Sequence, residues 1–375
     1  MRGVTSRTLL RPLALANLVA NIALVVTGAA VRLTGSGMGC PTWPKCTDES
    51  YTTTTAMGVH GAIEFGNRLL GVALGLITLG CLIAALLERP RRRSLVLLAV
   101  VVLLSVPAQA VMGGITVLTH LNPWVVGLHF LLSVALIAAA WALWRRTYEG
   151  DGPAQPLVPG SMRTLARLTA LASLAVIVAG VIVTGSGPHA GDANAKRNGL
   201  DSQAVAQFHA DLVFLLIGLS VALWLALLAL GAPRAATRAA LALMIIELAQ
   251  GLIGFVQYFT HLPVLLVGAH MLGATLVWTG TLAVLWSLRA RPLSVPDAPG
   301  PADASPLEPA PAAEDASAAA PSPSSPSSAS PVSAPASASA PASASAPKSA
   351  STPASASAPS STVQAPAGSA TPAAR

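Results

Sequence analysis

The sequence predicts an all-α integral membrane protein with eight transmembrane helices. They are expected to form two tandem four-helix bundles related by pseudo-two-fold symmetry along the membrane normal. Three observations predict this: an apolar composition, eight apolar runs of spanning length, and an internal repeat. Of 375 residues, 53% are hydrophobic and 10% charged. Mean hydropathy is +0.64, which excludes a soluble globular enzyme. The formal charge of +7 would suggest nucleic acid in a soluble chain. Here the arginines sit in short clusters between apolar runs, which is a pattern of membrane topology, and no nucleic acid partner is expected.

The runs lie near residues 13–33, 58–87, 94–118, 124–144, 164–185, 203–230, 238–258 and 263–288. Crossing a hydrocarbon core of about 30 Å takes about 20 helical residues. Each run must be helical, because lipid offers no partner to backbone N–H and C=O groups and no alternating barrel pattern is present. The first run follows Arg2, Arg7 and Arg11. It is too long for the core of a signal peptide and resembles the fifth run, so it is expected to remain as a span.

Basic residues give the orientation. Arg2, Arg7 and Arg11 precede the first run, Arg89 and Arg91 to Arg93 follow the second, and Arg145, Arg146, Arg163 and Arg167 separate the fourth from the fifth. Arg234 and Arg238 separate the sixth from the seventh, and Arg289 and Arg291 follow the eighth. The intervening loops carry only Lys45, Lys196 and Arg197. The positive-inside rule places both termini in the cytoplasm of a bacterial cell membrane.

The repeat links Thr34-Gly35-Ser36-Gly37 to Thr184-Gly185-Ser186-Gly187, Gln109 to Gln250, and Thr119-His120-Leu121 to Thr260-His261-Leu262. His60 follows the first turn motif at nearly the spacing at which His209 follows the second. His129 follows His120 at the spacing of His270 after His261. The halves are therefore read as residues 1–150 and 151–291, pointing the same way across the membrane. Residues 292–375 are rich in Pro, Ala and Ser and are expected to form a disordered cytoplasmic tail, having too little apolar surface to offset ordering entropy.

Four histidines, His60, His129, His209 and His270, are expected at similar depth near the outer ends of even-numbered helices, two per half. An imidazole inside a membrane is costly and marks a site. One alone is equally well read as an interhelical hydrogen bond. Four in duplicated positions favour ligation. The sequence has neither the Cys-His spacing of a closed zinc site nor the acidic clusters of a hard-cation cage. Paired imidazoles in an apolar bundle suit axial ligation of heme iron. Two other readings stay open: a di-heme b-type electron-transfer protein, and a transporter with titrating histidines. Hemes that carry electrons across a bilayer would be needed at both faces, whereas both pairs are expected on one.

The stretch Val31-Arg32-Leu33-Thr34-Gly35-Ser36-Gly37-Met38-Gly39-Cys40-Pro41-Thr42-Trp43-Pro44-Lys45-Cys46 resembles the heme A synthase family. So do Ile63-Glu64-Phe65-Gly66-Asn67-Arg68 and Gln109 to Gly114 with Ile115-Thr116-Val117, and the similarity runs over about residues 10–290. The resemblance implies oxidation of the C8 methyl of heme O to a formyl group by successive hydroxylations, in the biogenesis of cytochrome oxidase. It implies a heme b cofactor, with its iron, held by His209 and His270 in the C-terminal half. His60 and His129 would face the substrate heme O in the N-terminal half, with Arg68 and Asn67 beside it. The product so implied is heme A. Implied partners are membrane lipid, a heme O synthase (a farnesyltransferase) and cytochrome oxidase assembly factors, and a homo-oligomer is left open.

One departure bears on the site. Many family members have His where this chain has Asn67, and His60, two helical turns earlier on the same face, is the alternative ligand. Glu64 is read either as a structural partner of Arg68 at i+4 or, with the family's support, as the catalytic proton-handling group beside the oxidised methyl. Glu247 and Asp211 read as structural. Arg32 and Arg68 could each clamp a propionate or snorkel to the interface. Cys40 and Cys46 can reach each other in a loop bent by Pro41 and Pro44, without the spacing proving a disulfide. The family suggests a redox relay or cover for heme O oxidation as the alternative to a plain staple. Cys81 reads as a packing residue.

Overall fold

A computed structural model describes residues 2–292, with side chains from Leu9 onward. The tail expected beyond Pro292 lies outside the described residues. Eight helices dominate the chain: α1 (Arg2–Leu33), α2 (Gly58–Leu87), α3 (Arg93–Leu118), α4 (Pro123–Arg146), α5 (Gly160–Ser186), α6 (Ser202–Ala229), α7 (Arg234–Phe259) and α8 (Val264–Ser287). All eight are long and apolar enough to cross a membrane, and the chain is a multi-pass membrane protein. A two-residue ladder between β1 (Gln155–Pro156) and β2 (Arg289–Ala290) completes the described elements of regular structure, apart from a short 3₁₀ turn over Thr55–Met57.

Local chemistry sets the helix ends. Asn122 caps α4, its side chain accepting from Trp124 N–H ahead of Pro123 at the first helical position. Asp201 caps α6 by accepting from Ala204 N–H at 2.6 Å. At the end of α3, His120 and Leu121 adopt left-handed backbone (φ 51 and 57), as do His261 and Leu262 at the end of α7 (φ 62 and 60). Leu121 N–H donates to Thr116 C=O at 2.8 Å and Leu262 N–H to Gln257 C=O at 2.7 Å, closing each helix by the same six-to-one bond. The repeated Thr-His-Leu motif is thus a helix stop. Its histidines are terminators.

Within each half, successive helices pack together and the first meets the fourth: α1 with α2 and α4, α3 with α2 and α4, and the same among α5 to α8. The halves join through α1 with α8 and α4 with α5 and α8. Trp278 Nε1 donates across this seam to Val134 C=O at 3.0 Å. Bulky residues such as Leu265 and Phe259, 86% and 71% exposed, face outward, where lipid tails replace water and exact no apolar penalty.

The two buried cores match position by position. In α2, Leu74, Thr78, Cys81 and Ala85 are buried; in α6, at one constant offset, Leu216, Ser220, Leu223 and Leu227 are buried. Leu95, Ala99 and Val102 of α3 match Ala236, Ala240 and Leu243 of α7, and Leu136 and Leu143 of α4 match Val277 and Val284 of α8. Ala14 of α1 matches Ala166 of α5. These clusters fill the end of each bundle that carries the arginine-rich connections. The opposite end, which carries the histidines, lies beyond them.

At the arginine end a polar clamp ties the connection between the halves to the end of α8. Asp151 accepts from Arg92 (3.0 and 3.2 Å), Ser94 (2.7 Å) and Arg146 (3.1 Å). Arg146 also pairs with Glu149 at 3.1 Å, and Trp286 Nε1 donates to Glu149. Gln155 and Pro156 pair with Ala290 and Arg289 in the β ladder. The hydrogen bond from Arg92 holds the Asp151 carboxyl below its ordinary value of 3.8 against the opposing effect of burial, with further help from Ser94 and from the charges of Arg92 and Arg146. A depressed carboxylate stabilises the fold above its unfolded pKa and ceases to do so as pH falls through its folded value. Asp151→Asn should lower the thermal midpoint in detergent by ~2 °C at neutral pH. The difference from wild type should narrow as the scan buffer is taken below pH 3.8.

Candidate functional site

Each half carries, beyond its core, a set of polar groups on matching helix positions. His129 of α4 and His270 of α8 are equivalent in the register set by the cores. So are Gln109 of α3 and Gln250 of α7. Gln250 Nε2 donates to His270 C=O at 2.7 Å. Gln109 Nε2 donates to Ser133 Oγ at 2.9 Å, and Ser133 donates in turn to His129 C=O at 3.1 Å. Gln109 Oε1, Gln250 Oε1, His129 Nδ1 and His270 Nδ1 are buried with no partner in the protein. A buried polar atom left unpaired costs about 1–3 kcal/mol. The same four atoms are left unpaired at matching positions of the two halves.

Glycines on neighbouring helices give these rings their room. A Cβ on Gly254 would stand 3.3 Å from His270 Cε1, one on Gly113 would stand 3.5 Å from His129 Cε1, and one on Gly180 would stand 3.2 Å from His209 Cε1. In the C-terminal half the two imidazoles meet, His209 and His270 having ring centroids 6.4 Å apart with planes at 68°. His209 Nδ1 hydrogen-bonds Val176 C=O at 3.1 Å, which fixes the ring and leaves Nε2 free. The rings are close enough to share one metal ion, bound at about 2 Å from an imidazole nitrogen on either side.

The N-terminal half is built differently. The glycine matching Gly180 is Gly28, and the nearest group to its missing Cβ is Asn67 Nδ2 at 4.0 Å. The α2–α6 register likewise sets Asn67 opposite His209, whereas His60 falls on Ser202, the first residue of α6. The expectation of four histidines at matched depth is therefore corrected. His129 and His270 are equivalent, but His60 and His209 are not. The spacing from the turn motif misled because the two connecting loops differ in length. Asn67 Oδ1 accepts from Thr27 Oγ1 of α1 at 2.7 Å. His60 is exposed near the helix end, its Nδ1 2.9 Å from Ser36 Oγ, which in turn meets Thr34 Oγ1 at 2.8 Å.

Above this half sits a braced loop. Cys40 and Cys46 form a disulfide with Cα atoms 4.5 Å apart. Glu64 is buried in α2 and spends both carboxylate oxygens on the brace: Oε2 accepts from Cys40 N–H at 2.6 Å and Oε1 from Arg68 Nη2 at 2.6 Å. Arg68 also donates to Cys40, Thr42 and Lys45 carbonyls at 3.2 to 3.3 Å. Trp43 packs on Gly114 of α3, where no side chain would fit. The second half has no counterpart to this cluster, since Ala206 and Ala210 occupy the positions of Glu64 and Arg68.

Arg32, read as a candidate propionate clamp, instead reaches from α1 into the second half. Its Nη2 donates to Thr184 C=O at 2.7 Å and its Nε to His189 C=O. Gly37 N–H donates to Gly191 C=O at 2.8 Å, and His189 Nε2 lies 3.0 Å from Leu262 C=O, so the two long loops are tied together. Arg68 is likewise engaged by protein groups. Glu247 is buried with Ser220 Oγ donating to Oε1 at 2.9 Å, and Asp211 accepts from Gln207 at 2.8 Å. Cys81 is a buried free thiol in the first core. Among the described residues no three His, Cys, Asp or Glu side chains converge on one point.

Fold and site together define a polytopic helical membrane protein with a duplicated interior site, histidine-paired in one half and capped by a disulfide loop in the other. The chain belongs to the COX15-CtaA family of cytochrome oxidase assembly proteins, whose sequence model it matches over residues 11–282. It is 27% identical over 143 residues to the heme A synthase of Bacillus licheniformis, covering 38% of this chain and 46% of that one. To the heme A synthase of Listeria welshimeri it is 30% identical over 129 residues, 34% of this chain and 42% of the relative. To that of Bacillus mycoides it is 31% identical over 132 residues, covering 35% and 42%. The aligned part of the chain spans less than half the length of these curated relatives.

The disulfide closes a short loop, for which the chain-entropy estimate is about 2 kcal/mol. Replacing both Cys40 and Cys46 by Ser should lower stability in detergent by about that amount. The loop should also become cleavable by protease near Lys45. Both effects are read by thermal unfolding and by peptide mapping of limited digests.

Proposed function

We propose that the chain is a heme A synthase, which oxidises the C8 methyl of heme O to a formyl group by successive hydroxylations. The observation that carries the reading is the division of labour between matching sites. One half offers the His209–His270 pair at 6.4 Å. The other offers a single equivalent imidazole beneath the Glu64–Arg68–disulfide cluster. The C-terminal half would hold heme b between His209 and His270, in the space kept by Gly180 and Gly254. Bound there, the iron supplies one-electron redox chemistry. The free Nε2 of His209, the facing His270 ring and the glycine cradle fit such a group.

The N-terminal half would take heme O as substrate, with His129 toward the iron. Glu64 is proposed as the proton-handling residue beside the oxidised methyl. Its carboxylate is held in place by Arg68 and by Cys40 N–H, so any gain or loss of a proton there is coupled to the loop. The disulfide loop would cover the substrate and exclude water, with Trp43 wedged against Gly114. The arginine-rich end would face the cytoplasm, putting both sites toward the outer leaflet. Heme O synthase and cytochrome oxidase assembly factors are the proposed partners, upstream and downstream of this reaction.

The test is heme extraction and chromatography of the detergent-purified protein coexpressed with a heme O source. Wild type should yield heme b together with heme A. Glu64→Ala should yield heme b with heme O or a hydroxylated intermediate. Heme b alone in both proteins would overturn the synthase reading in favour of an electron carrier. Gly180→Val, which drives a branched side chain into the His209 ring, should lose most of its heme b while remaining folded by circular dichroism.

A further inference from the structure

The duplicated core provides a ruler for comparing the two halves residue by residue. Along α2 and α6 it sets four buried positions in register, and at that register Asn67 stands where His209 stands. Glycine contacts on a different helix pair agree, because Gly180 of α5 abuts His209 and Gly28 of α1 lies nearest Asn67. His60 is about 10 Å further along the helix axis at 1.5 Å per residue. It is exposed and bonded to Ser36, while its backbone carbonyl packs so tightly on Gly39 that a Cβ there would overlap it. That packing fixes His60 to the loop.

We propose that the N-terminal half holds its heme through a single axial imidazole, His129. Asn67, anchored by Thr27, stands at the place of the missing second ligand, and His60 is no ligand but part of the loop brace. The proposal deepens the synthase reading and rests on its heme-binding part. A carboxamide is not among the usual axial ligands of heme iron, which are His, Met, Cys and Tyr. Asn67 has its Oδ1 occupied by Thr27 Oγ1. Its Nδ2 remains a donor. The two sites would accordingly differ in kind: one closed by two imidazoles, the other with an axial position open to a small exogenous ligand beside an N–H donor.

Hemin titrated into the full-length detergent-solubilised protein tests this by optical and electron paramagnetic resonance spectra, with carbon monoxide added after reduction. Wild type should take up one low-spin heme, lost in His270→Ala, and one high-spin heme that binds carbon monoxide. His129→Ala should weaken uptake of the high-spin heme by about ten-fold or more. Asn67→His should convert it to low-spin and suppress carbon monoxide binding, and His60→Ala should leave its spectrum unchanged. A second heme that is low-spin in wild type and turns high-spin in His60→Ala would overturn the proposal. So would a protein that binds only the heme lost in His270→Ala, with the first site's reading left standing. Failure to bind hemin at all would instead defeat the heme-binding reading on which the proposal rests.

Discussion

The packing of small and aliphatic side chains at the arginine end of each bundle is the constraint on which the rest of the structure depends. In lipid there is no hydrophobic drive to bring helices together, so close van der Waals contact among residues such as Ala84, Ala85, Ala99 and Ala140 must do it. That contact fixes the rotation and register of every helix. Because helices are stiff, the register set at one end is carried about 15–20 Å to the other, where the imidazoles sit. A cavity or an overlarge side chain in either core would therefore displace histidines it does not touch.

Duplication and asymmetry serve different ends. The same core built twice sets matching helix positions in the two halves, which then differ by a few substitutions at those places and by the loop above them. His209 becomes Asn67, and Ala206 and Ala210 become Glu64 and Arg68. The Glu64–Arg68 ion pair, only partly exposed, is satisfied on several sides by loop carbonyls and Cys40 N–H, the condition under which a buried pair is tolerated. The pair therefore ties the loop to the candidate site.

The halves are also coupled at both ends. Arg32 satisfies carbonyls left free where α5 ends and its loop begins, and so links the N-terminal half to the frame of the C-terminal site. At the other end Asp151, Arg92, Arg146 and Glu149 bind the inter-half connection to the end of α8. Both sets of contacts hold the two halves at a fixed separation. These clamps add to the covalent connection between the halves.

The sequence by itself determined the membrane class, the eight spans and the repeat, because hydrocarbon thickness and backbone hydrogen bonding leave an apolar run of 20 residues no other structure. It also offered His60, His129, His209, His270, Glu64, Asn67, Arg68 and the cysteine pair as candidates, since polar groups stand out in an apolar background. Some features were beyond its reach: α1 begins near Arg2 rather than at residue 13, Arg32 turns to carbonyls, and a β ladder pairs residues far apart in the chain. Nor could spacing along the chain align His60 with its true counterpart. Loop length is free to drift between repeats, whereas helix register is locked by packing. The family motif already set Asn67 where relatives have His; the tertiary contacts show that Asn67, and not His60, matches His209 of the second half.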